Sequence, residues 1–142
     1  MTFDEMVALQ GVKRRKPREL EHKLQCQLVK WFRLQYPHLK HALFSVPNGG
    51  KRDKVTAAKM KEEGQLSGVS DLILLVNNGQ YGALLIEVKT KDGCQSDNQK
   101  EWQKAIEKDG YKYVIVRSLE EFMDVIKEYI DGKGRKDRNG KM

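Results

Sequence analysis

Residues 70–90 read SDLILLVNNGQYGALLIEVKT. The run DLILLV is nearly continuous in apolar residues, Asn78-Gly79 is a strong turn signal, and YGALLIEVKT is a second strand, so the stretch predicts a hairpin. Strands apolar on both faces belong in the centre of a sheet covered by helices. The charged residues at the ends stand out against that background. Side chains of a strand alternate between faces, so Glu87 and Lys89 point one way while Ile86 and Val88 point the other. Pairing across the turn brings Asp71, at the head of the first strand, close to the far end of LLIEVK.

Two readings of this cluster are open at this level. Glu87 and Lys89 form an ordinary surface ion pair and Asp71 caps a turn, an arrangement common in soluble proteins. Alternatively, the charges interrupt strands that are otherwise buried, where an unpaired ion costs several kcal/mol or so, and they call for a partner. Two carboxylates held together repel each other unless a divalent cation lies between them, and hard oxygen ligands favour Mg²⁺ or Mn²⁺.

Working outward, the segment from Glu19 to Tyr36 carries Leu20, Leu24, Leu28, Trp31, Phe32 and Leu34 at helical spacing and stops at Pro37. HALFSVP reads as a strand closed by Pro47 and the turn-forming Asn48, Gly49 and Gly50. Residues 53–63 predict a short surface helix that packs through Val55, Ala58 and Met60 and ends at Gly64. Beyond the hairpin, Ser96 or Asp97 caps a helix that closes at Gly110 and buries Trp102, Ala105 and Ile106. YKYVIV is a strand, and SLEEFMDVIKEYI is a helix with Ser118 and Glu121 placed as a capping box. The order α β α β β α β α predicts an α/β domain around a small mixed sheet flanked by helices.

With 142 residues, 39% hydrophobic and 33% charged, the chain suits one globular domain. Its net charge of +7 is unevenly placed: residues 1–18 and residues 131–142 each carry a net +3, leaving +1 for residues 19–130. This divides the chain into a basic N-terminal arm (1–18), a folded domain (19–130) and a basic flexible tail (131–142). Such ends either keep a protein soluble or meet a polyanion. The start MTFDEMVALQ lacks a secretory pattern and no apolar run has membrane-spanning length, so a cytoplasmic protein is expected. Cys26 and Cys94 lack metal or redox spacing, and His22, His38 and His41 lack that of a zinc motif.

SDLILL followed by LLIEVKT resembles the Asp-x(n)-Glu-x-Lys core of the PD-(D/E)xK nuclease superfamily, with Ser70 at the usual proline. More closely, LEHKLQCQLVKWFRLQYP, SVPNGGKRDKVTAAKMKEEGQLSGVSDLILL, LLIEVKTKDGCQSDNQKEWQKAIEKDGYKYVIVRS and the closing helix are similar to a VRR-NUC domain. The resemblance implies a restriction-endonuclease-like core and a catalytic set of Glu21, Asp71, Glu87 and Lys89. It implies that Glu21, Asp71, Glu87 and the carbonyl of Val88 hold Mg²⁺, with Mn²⁺ as a substitute, and that Lys89 orients or activates the attacking water. Gln25, Asn48, Gly49, Gly50 and Gln99 match supporting or substrate-binding positions. The implied activity is a metal-dependent DNA endonuclease acting on Holliday junctions or other branched or flap DNA, with a homodimer expected for cutting both strands of a junction and a monomer suiting flaps or single nicks. A DNA-binding module that retains the fold without turnover is the alternative, and a plain α/β domain whose tails alone touch nucleic acid is a third reading.

Overall fold

The computed structural model describes residues 17–47 and 53–139, with side chains through residue 132. Helix α1 spans Pro17–Gln35. It opens on a proline, whose missing N–H has no partner in a first turn anyway, and ends ahead of Pro37, which begins a short 3₁₀ turn, Pro37–Leu39. Strand β1 is Leu43–Ser45 and helix α2 is Lys54–Glu62, whose N-cap Asp53 accepts the Thr56 N–H at 2.7 Å. The central strands β2, Leu72–Leu74, and β3, Leu84–Val88, precede helix α3, Asp97–Lys108. Strand β4, Lys112–Val116, and helix α4, Leu119–Asn139, complete the chain. The order agrees with the sequence pattern. Asn48, Gly49 and Gly50 lie outside the described residues.

The four strands form one mixed sheet in the order β1-β2-β3-β4, antiparallel except for the parallel pair β3–β4. The parallel pair requires a crossover, which α3 supplies. Alternation along the strands then divides the core in two. Leu72, Leu74, Leu84, Ile86, Val88 and Val116 face α1 and α4, packing on Leu28, Phe32, Phe122 and Ile126. Ala83, Leu85 and Tyr113 face the other way, with Trp102 and Ile106 of α3 against them. β3 is buried at all five positions, as its apolar run predicts for a strand covered on both faces.

Three features differ from the sequence reading. The hairpin is not a tight two-residue turn: β2 ends at Leu74 and β3 begins at Leu84. Asn78 does shape the loop, but with its side chain, which accepts the Gln80 and Tyr81 N–H groups at 2.9 and 2.8 Å and donates to the Tyr129 carbonyl at 3.0 Å. Tyr129 in turn donates its hydroxyl to the Val76 carbonyl at 2.7 Å, so α4 holds the loop away from strand geometry. Secondly, Leu20, Leu34 and Ala105 are exposed because they fall outside the stripes that α1 and α3 turn to the sheet, and Val55 and Ala58 are exposed because α2 buries none of its residues. Thirdly, the α4 backbone continues past Ile130 to Asn139, into the stretch read from its charge as a tail. Among the described residues no helix is long and apolar enough to cross a membrane.

Candidate active site

The β2–β3 register pairs Leu72 with Ile86 and Leu74 with Leu84. Continued by one residue, it sets Asp71 opposite Glu87, both on the α3 side of the sheet. Like charges directly opposite each other across strands are destabilising. Asp71 is anchored there by the Val88 N–H, which donates to its Oδ2 at 2.8 Å. Ser70, completely buried before it, turns its hydroxyl onto the Leu72 carbonyl at 3.1 Å.

Glu87 is 2% exposed. Its Oε2 accepts the Gln99 side-chain amide at 3.1 Å and lies 3.7 Å from Lys89 Nζ, while its Oε1 has no donor among the described residues. Burial, then the charge of Asp71, pushes the Glu87 carboxyl up to about 8, with Lys89 opposing and Glu21 adding to the rise. Ionised, Glu87 and Asp71 are both acceptors and Oε1 is left bare. Protonated, Glu87 donates a hydrogen bond to Asp71, which further favours the proton. An acidic pair this strained either keeps a proton or receives a cation.

Gln99 comes from the first turn of α3. Ser96 Oγ accepts the Gln99 backbone N–H at 3.2 Å, and Gln99 Oε1 accepts the Ser96 N–H at 2.9 Å, closing a capping box. That bond fixes which end of the amide is oxygen, leaving its nitrogen for Glu87. The helix start is itself seated by the preceding loop: Asn98 Nδ2 donates to Ser67 Oγ at 3.0 Å, and Gly68, at φ +91°, passes so near that a Cβ would stand 2.5 Å from the Asn98 carbonyl oxygen. Only glycine fits both the dihedral and the space.

Lys89 leaves β3 into a loop that Arg117 holds down. The Arg117 guanidinium donates to the carbonyls of Gly93 at 2.6 Å and Thr90 at 2.7 Å, reaching Lys91 at 3.4 Å. A Cβ on Gly93 would lie 3.5 Å from Lys89 Cδ, so this loop packs on the stem of the lysine. Sequence reasoning missed Arg117 and Gly68. A lone arginine after a strand carries no local signal, and a Ser-Gly pair reads as any loop.

Glu21, on the first turns of α1, lines a groove of about 820 Å³ together with Asp71 and Gln25. Its charge is felt at Glu87, as the last of the contributions that raise that carboxyl. Yet α1 packs on the face of the sheet opposite Glu87, and among the described residues no three His, Cys, Asp or Glu side chains stand close enough to hold one metal ion together. The intimate acidic pair is therefore Asp71 and Glu87. The donor chemistry suits a hard divalent cation, since the pair offers carboxylate oxygens, one of them unpartnered.

The sequence model of the VRR-NUC domain matches residues 9–120. A solved structure described as a VRR_NUC domain protein superposes with a TM-score of 0.68 at 28% sequence identity, covering 78% of this chain and 88% of that one. No curated protein matches the chain. With a family match over most of its length and the Asp-Glu-Lys cluster at the end of its central strands, the chain belongs to the VRR-NUC domain family, a nuclease-type fold that acts on DNA.

Proposed function

We propose that the chain is an endonuclease that hydrolyses phosphodiester bonds in branched or flapped DNA and depends on Mg²⁺, with Mn²⁺ as a substitute. The observation that carries this reading is Glu87: a carboxylate 2% exposed, opposite Asp71, with one oxygen that has no donor among the described residues. A structural ion pair would satisfy that oxygen; a ligand waiting for a cation would not.

Asp71 and Glu87 would hold the ion with the carbonyl of Val88, while Glu21 lines the adjoining groove outside this pair. Bound there, a divalent cation supplies a more acidic water and neutralises charge on the phosphate. The remaining work falls to the chain. The Val88 N–H keeps Asp71 aimed along the strand end, and Gln99 keeps Glu87 from turning away. Lys89, its ammonium 3.7 Å from Glu87 Oε2, orients the attacking water and offsets the negative charge that develops on the phosphoryl oxygens. A homodimer would present two such sites, suited to cutting both strands of a junction.

The test is to incubate the protein with linear, flap, splayed and four-way DNA in Mg²⁺, alongside Glu87→Ala, Lys89→Ala and a chelated control. Cleavage of a branched substrate by the intact protein alone is the expected outcome. Binding without cleavage would make this chain a non-catalytic DNA-binding module, and equal cleavage by the variants would place the chemistry elsewhere.

A further inference from the structure

The groove that begins at Glu21 and Asp71 continues well beyond them. Arg18, Glu21, Gln25, Val29 and Arg33 recur every three or four residues and, with Cys26 and Lys30 beside them, form one wall, a stripe along nearly the whole of α1. Leu43 and Ser45 of β1, the edge strand, form the other. From Arg18 to Leu34, the last residue of the stripe, the helix rises about 24 Å at 1.5 Å per residue. The exposed Leu34 and Phe44 also line the groove and offer apolar surface to unpaired bases.

The charges along the wall are ordered. The acids Glu21 and Asp71 both line the groove, with Arg18 one turn before Glu21 on the helix. Lys30 and Arg33 lie on the other side, Arg33 about 18 Å further along the helix axis than Glu21. Between them lie Gln25, Cys26, Val29 and Leu43, with His22 Nε2 3.6 Å from Cys26 Sγ. An anionic polymer whose reacting phosphate sits at the carboxylates would find cations for its neighbours on both sides and apolar surface for its bases.

We propose that the α1–β1 groove is a channel for a single unpaired DNA strand leading to the Asp71–Glu87 site, so that the preferred substrates carry a single-stranded segment next to the cut. The channel rests on the nuclease reading only for its direction toward that site.

The test uses the full chain in chelator, so that no cleavage intervenes, with a fluorescent oligothymidylate as the probe. Cys26 lines the groove and Cys94 does not, and both are exposed, so alkylation of each thiol, resolved by peptide mass spectrometry, reports occupancy. The expected result is that the strand protects Cys26 while a blunt duplex of the same length does not. Replacing Lys30 and Arg33 together by glutamine should weaken strand binding roughly tenfold and flatten the log–log salt slope by about 1.4, the loss of two phosphate contacts. The proposal is overturned if Cys26 stays reactive under saturating strand, if the duplex protects it equally, if polyglutamate displaces the strand as well as DNA does, or if the double variant keeps its affinity and slope. Should no DNA be cut in Mg²⁺ while Cys26 is still protected by the strand, the enzymatic reading falls and the channel stands.

Discussion

Gln99 ties the start of α3 to the buried acid of β3: its amide nitrogen donates to Glu87 Oε2 at 3.1 Å while its amide oxygen accepts the Ser96 N–H at 2.9 Å. One side chain thus serves as the N3 member of a capping box and as the clamp on a candidate metal ligand. Gln99→Ala should lower stability by about 1 kcal/mol through the lost cap and reduce cleavage at least tenfold. Gln99→Glu keeps an acceptor for the Ser96 N–H but faces Glu87 with a carboxylate, and should lose cleavage just as fully. Thermal melts beside single-turnover rates separate the two effects; wild-type cleavage by the alanine variant would remove Gln99 from the site.

The proton on Glu87 makes stability depend on pH in a defined direction. Its carboxyl is raised from an ordinary 4.5 to about 8 in the folded protein, so between those values the folded state binds a proton that the unfolded state has released. In chelator, the contribution of Glu87 to stability therefore falls as pH rises from about 5 to about 8, by on the order of a few kcal/mol. Glu87→Gln should melt higher than the parent protein at pH 8, with the gain shrinking toward pH 5. A gain independent of pH would mean that Glu87 is not protonated in the fold.

The same carboxyl should make cation binding compete with a proton. Mn²⁺ affinity, followed by calorimetry, is expected to tighten as pH rises toward 8 and to release close to one proton per ion bound near pH 7. Removal of the ion by chelator should abolish cleavage without unfolding the domain.

Gly68 seats α3 against the loop that leads to Asp71. With φ at +91° and the Asn98 carbonyl 2.5 Å from any added Cβ, Gly68→Ala must displace backbone rather than a flexible side chain. A loss exceeding about 1 kcal/mol is expected in denaturant melts. Gly64→Ala is the comparison: it has positive φ but no atom within 4 Å, so its cost should be strain alone.

Arg117 is expected to act through Lys89. Arg117→Ala should speed amide exchange in residues 90–93 and slow cleavage, whereas Arg117→Lys, lacking the guanidinium fork, should restore neither fully. Introduced together with Lys89→Ala, Arg117→Ala should add little further loss of rate. Additive losses would show that the loop matters independently of the lysine.

Much of this architecture is written locally. The alternation of LLIEVK places Glu87 and Lys89 on one face, Ser96 and Gln99 stand at capping-box spacing, and apolar periodicity yields the order of helices and strands. Those features depend on neighbours a few residues away. The site depends on distant ones. Strand register, set by the packing of Leu72 and Leu74 against Leu84 and Ile86, brings Asp71 opposite Glu87. Placement of α3 on that same face delivers Gln99, and Arg117 reaches back to carbonyls more than twenty residues earlier in the chain. Tyr129 shortens the hairpin by bonding its loop, which no turn propensity could reveal. Glu21 is marked in the sequence only by motif resemblance, and its sharing of one groove with Asp71 follows from how α1 packs on the sheet. Local chemistry chose the reactive groups; burial and like-charge opposition, which exist only once the sheet is assembled, made them reactive.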